Sequence, residues 1–112
     1  MKILAPLLAF GLLASPALAA TKTFKNVSVI DVACSQKQAA NADAHTRECA
    51  LTSQKSGFGI LTADKTFLKF DADGNAKILE QLKSSKKADH LRVNVTGDVQ
   101  GDILKVDSIN LM

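Results

Sequence analysis

The sequence predicts an all-β domain with one helix: a five-stranded, OB-fold-like Greek-key barrel with its helix between strands 3 and 4. Three observations predict it. Five segments carry strand patterning and one carries helical spacing, in the order strand, long loop, strand, strand, helix, strand, strand. That order is the layout of a small, partly open Greek-key barrel of OB type. The expected folded segment, residues 20–112, is long enough for one small domain and shows no internal repeat, low-complexity tract or linker.

The first nineteen residues are expected to lie outside that domain. Lys2 is followed by an apolar run from Ile3 to Leu13 and by the small-residue site Ala17-Leu18-Ala19, the three-part pattern of a secretory signal peptide cut before Ala20. The run is shorter than the ~20 apolar residues a bilayer crossing requires. The expectation is therefore a periplasmic or extracellular protein of bacterial type, with no membrane insertion after cleavage.

The elements follow in order. Residues 23–34, TFKNVSVIDVAC, alternate and then become continuously apolar, as in a long first strand. Residues 35–54 are rich in Ala, Gln, Lys and Glu, which favours a loop with a short helix near 43–51. Residues 58–64 and 66–71 read as two strands joined at the turn Asp64-Lys65, a hairpin. DADGN, residues 71–75, starts a helix whose Ile78, Leu79 and Leu82 share a face, with Asp73 or Asn75 as the expected cap. Residues 90–99 place Leu91, Val93 and Val95 on one side of the fourth strand. After Gln100-Gly101-Asp102 the chain turns into the last strand, residues 102–111.

Charge and composition argue against nucleic acid as a partner. Without Lys2 the chain has thirteen basic and eleven acidic side chains, and only Lys83, Lys86 and Lys87 cluster. Single-strand binding by such barrels uses aromatic stacking on the central strands. The chain has no Trp or Tyr, and Phe67 and Phe70 fall on opposite faces of a regular strand.

The chain also resembles a family of small secreted bacterial OB-fold-like proteins of poorly defined function. The resemblance is carried by Ile30-Asp31-Val32-Ala33-Cys34 at a strand end, His45 to Cys49 as H-x-x-x-C, Gly59-Ile60-Leu61-Thr62, and Val93-Asn94-Val95-Thr96-Gly97. A further family cysteine, four residues after the H-x-x-x-C cysteine, is Ser53 here. The resemblance implies an exported OB-like domain and no particular activity.

The chemistry-bearing residues concentrate between Cys34 and Cys49. An exported chain with two cysteines is expected to pair them. The bridge would close a loop of about 15 residues and stabilise by about 3 kcal/mol. The alternative is a metal site. A helix over 43–51 would set His45 and Cys49 one turn apart on one face, where imidazole and thiolate reach one zinc or copper ion with Cys34 as a third ligand. A fourth is not evident, although Asp31 and Glu48 are near in sequence. No C-x-x-C, nucleophile elbow, H-E-x-x-H or phosphate loop is present, so no enzymatic activity is expected. DADGN begins like a calcium loop but has Ala76 where Gly is needed and Leu82 where a bidentate Glu is needed. The expected function is a noncatalytic binding or interaction module without a cofactor, its loop clasped by the Cys34–Cys49 disulfide and meeting an unidentified protein or small molecule. The alternative is a metal-handling protein using His45, Cys34 and Cys49 with Zn or Cu.

Overall fold

A computed structural model describes residues 21–112. The expected leader, residues 1–19, lies outside the described residues. Five strands form a closed barrel: β1 (Thr21–Asp31), β2 (Phe58–Leu61), β3 (Phe67–Phe70), β4 (Arg92–Gln100) and β5 (Ile103–Leu111). Around the barrel the order is β1-β2-β3-β5-β4, and β1 returns to pair with β4. All pairings are antiparallel except β3 with β5. Among the described residues no helix is long and apolar enough to cross a membrane.

The core comes from the expected alternation in β3 and β4, and in β5 from an alternation that changes phase after Val106. Val93 and Val95 of β4, Leu104, Val106 and Ile109 of β5, and Leu68 and Phe70 of β3 are buried in one cluster. Phe67 is only half-buried, on the opposite side of β3 from Leu68 and Phe70. The alternation of β1 is broken. Its register with β4 shifts between Phe24 and Val27, and Asn26 takes a positive φ of 55°. This bulge inserts residues and re-aims the strand, so Val27 and Val29 turn inward beyond it. Asn94 Oδ1 accepts from the Asn26 N–H at 2.9 Å, and Arg92 Nη1 donates to the Asn26 carbonyl at 2.9 Å.

Besides the long helix and the short one expected near 43–51, the first connection carries further helical turns. The connection from β1 to β2 is a chain of short pieces: 3-10 turns at Val32–Cys34, Ala39–Ala44 and Gln54–Ser56, helix α1 (Ser35–Gln38) and helix α2 (Arg47–Thr52). The long helix, α3 (Ala72–Ser84), follows β3 in the chain and buries Gly74, Ile78 and Leu82 against the barrel. Its cap is neither Asp73 nor Asn75. Asp71 is the N-cap, and its Oδ1 accepts from Gly74 N at 3.0 Å and from Val106 N of β5 at 3.1 Å. Asn75 serves another element: its Oδ1 accepts from Phe58 N at 2.8 Å, fixing the start of β2. At the other end, Gln81 binds the Ile109 carbonyl and the Leu111 N–H, holding α3 to β5.

Candidate functional site: a buried Asp-His pair beside Cys34

Asp31 is the last residue of β1 and the N-cap of the following 3-10 turn, and its Oδ2 accepts from Cys34 N at 3.1 Å. One tight turn thus folds the side chain of residue 34 back beside that of residue 31. His45 arrives from the far end of the same connection. The chain kinks at Asn41, whose φ and ψ are −146° and 61°, and His45 is extended. Two backbone hydrogen bonds strap this stretch to the segment before β4: His90 N donates to Asp43 O at 3.0 Å, and Arg47 N donates to Ala88 O at 2.8 Å. The Arg47 guanidinium donates to the Leu82 and Lys83 carbonyls, joining α2 to the end of α3.

These anchors press His45 inward. Its side chain is 1% exposed and that of Asp31 is 0% exposed, with Nε2 2.7 Å from Oδ1. The approach is close but off the line of N–H donation. Asp31 Oδ1 and both ring nitrogens of His45 are buried without an aligned hydrogen-bond partner. A buried polar atom left in this state costs about 1–3 kcal/mol, so three together are conspicuous in so small a core. Ligand atoms of Asp31, Cys34 and His45 all lie within 4.8 Å of one another. Burial pushes the Cys34 thiol above its ordinary pKa, Asp31 adds to this through hydrogen bonding and charge, and Ser53 opposes it.

Two expectations need correction. Cys34 and Cys49 are both free thiols, not a disulfide. Cys34 is half-buried with its thiol toward Asp31 and Ser53, whereas Cys49 is exposed on α2. His45 and Cys49 also do not share a helix face. Thr46 is the N-cap of α2, its Oγ1 accepting from Cys49 N at 3.1 Å, so the helix begins after His45 and the one-turn argument fails. Cys49 instead lines a shallow concavity of about 330 Å³ with Cys34, Glu48, Thr52 and Ser53. The residue that sequence reasoning named only in passing is Asp31. Its signal was the D-x-x-C spacing at a strand end.

A separate polar concavity of about 320 Å³ lies between the β1 bulge and residues 40–43. Arg92 forms part of its wall, paired through Nε and Nη2 with the Asp43 carboxylate at 3.0 and 2.9 Å. That pairing holds the Asp43 carboxyl below its ordinary range and raises the guanidinium. Compared with protein-family models, curated proteins and solved structures, the chain matches none.

Proposed function

We propose that this chain is an exported, noncatalytic binding module of OB type whose ligand is one transition-metal ion, zinc before copper, held by Asp31, Cys34 and His45. The single observation that carries the reading is the convergence of a carboxylate, a thiol and an imidazole within 4.8 Å, two of the three residues being fully buried. An ion between them would give Asp31 Oδ1 and His45 Nε2 the partner they lack. Zinc accepts oxygen, sulfur and nitrogen donors in one tetrahedral shell. Cuprous copper favours the thiolate and imidazole and has less use for the carboxylate.

The OB assignment is supported by the strand order and by a helix between β3 and β4. In that barrel the connection after the first strand is a ligand-binding element, and all three donors lie at or within it. Export is supported by the leader pattern of residues 1–19 and by the resemblance to secreted domains. A nucleophile–base–orienter relay fits less well. It needs the imidazole between thiol and carboxylate, one on each ring nitrogen. Here Nδ1 has no partner, and the polar neighbours that shift the thiol are Asp31, Ser53 and Cys49.

The test is elemental analysis and native mass of the reduced, desalted protein. One zinc per chain is expected, lost in Cys34→Ser and in His45→Ala. A metal-free protein that takes up no zinc when titrated would overturn the proposal.

A further inference from the structure

We infer that the ion is exchangeable cargo rather than a structural staple, and that Cys49 is the residue through which it is captured and released. This rests on the metal reading above and extends it to the direction of traffic. Structural zinc sites are closed by four protein ligands, whereas sites that exchange a ligand keep a position open. The cluster among the described residues has three members. Two of them, Asp31 and His45, are sealed from solvent, while Cys34 is only half-buried. The open side is therefore the side of Cys34.

That side faces the concavity that Cys34 shares with Glu48, Cys49, Thr52 and Ser53. Cys49 is exposed and lines the same concavity as Cys34. An arriving cation meets the Glu48 carboxylate and the Cys49 thiol before it meets Cys34. The two rim residues stand on a capped helix, since Thr46 Oγ1 holds Cys49 N and Glu48 occupies the first turn. The transfer is ligand exchange without electron transfer. The Cys49 thiol gives its proton to water as its sulfur bonds the ion. The ion then bonds Cys34 sulfur, which loses its own proton to water, and next Asp31 oxygen and His45 nitrogen. The Cys49 sulfur–metal bond breaks last, and Cys49 takes a proton back. Release to a stronger thiolate acceptor runs the same steps in reverse.

The experiment follows zinc loading of the reduced, metal-free protein and its extraction by a competing chelator, both by stopped flow, with stoichiometry by native mass. For Cys49→Ser the expected result is one zinc per chain, as in the wild type, with loading and extraction both slowed several-fold. Glu48→Gln should slow loading while also keeping one zinc. Rates equal to wild type in Cys49→Ser would overturn the inference. So would loss of the ion from Cys49→Ser at equilibrium, which would make Cys49 a resident ligand. A wild-type protein that binds no zinc is a different failure, because it removes the metal reading itself and this inference with it. Circular dichroism of both variants guards against misfolding, and neither side chain belongs to the buried core.

Discussion

Asp31 and His45 face each other fully buried where the connection meets the barrel, Oδ1 2.7 Å from Nε2. Leaving a buried polar group without a polar neighbour costs about 1–3 kcal/mol. Asp31→Ala strips His45 of its polar neighbour and Cys34 N of its acceptor, and is therefore expected to destabilise the metal-free protein by about 2–3 kcal/mol in urea unfolding. A loss near zero would mean that the contact stabilises nothing. A second residue-scale effect is a pH dependence. Thr62 and Thr66 hydrogen-bond the Asp64 carboxylate and hold its pKa below the ordinary range. The folded state therefore favours the charged form. Its contribution is present above the unfolded pKa of about 3.9 and is lost as pH falls through the lower folded value. An NMR titration should show Asp64 titrating below an ordinary aspartate, and moving back up in Thr62→Val. At this scale the sequence made Cys34 and His45 visible as candidate donors and set Cys49 beside His45, whereas the fold gathers Asp31 with them. Thr46 ahead of Arg47-Glu48 was a readable N-cap that starts the helix after His45. The Asp31–Cys34 approach depends on a 3-10 turn that no periodicity announces.

The elements show why alternation succeeds in some strands and not in others. In β4 the inward residues Val93 and Val95 are apolar and alternate, so the pattern can be read directly, whereas in β5 the register with β4 shifts between Thr96 and Gly97 and the buried side changes phase between Val106 and Ile109. In β1 the bulge at Asn26 shifts the phase, and Phe24 and Val27 cannot be assigned to faces from spacing alone. Helix α3 was legible from Ile78, Leu79 and Leu82, but its cap was not. Asp71, Asp73 and Asn75 are all plausible caps in sequence, and only tertiary contacts with β5 and β2 separate them. Gly74 records how closely α3 lies on the barrel: a Cβ there would meet Val106 Cγ2 at 2.5 Å and Phe70 Cβ at 3.0 Å. Alanine gains roughly 0.5–1 kcal/mol of helix stability over glycine, while forced overpacking costs about 1–3 kcal/mol. The branched Val106 side chain has little freedom to yield. Gly74→Ala should therefore lower the urea midpoint, with far-UV dichroism unchanged. A raised midpoint would mean that the helix can slide outward at little cost.

For the molecule as a whole, fold and site rest on different interactions. The barrel is held by one apolar cluster that runs through all five strands and α3, each fully buried large side chain contributing about 1.5–3 kcal/mol. Asp31, Cys34 and His45 lie outside that apolar cluster, at the end of β1 and on a connection strapped down by backbone hydrogen bonds and by Arg47. Removing metal with a chelator should thus leave a folded barrel with unchanged β-sheet dichroism. Only the thermal midpoint should fall, by an amount that grows with the zinc concentration it is compared against. Global unfolding on chelation would instead place the ion among the main supports of the fold.

The proposed site requires that Asp31, Cys34 and His45 close on one ion. Cobalt(II) substitution of the reduced, metal-free protein tests it most directly, because the absorption spectrum reports ligand type and geometry together. The expected result is one cobalt per chain, tetrahedral ligand-field bands, and a thiolate charge-transfer band that disappears in Cys34→Ser and persists in Cys49→Ser. A spectrum of octahedral aqueous cobalt, or a charge-transfer band that persists without Cys34, would contradict it.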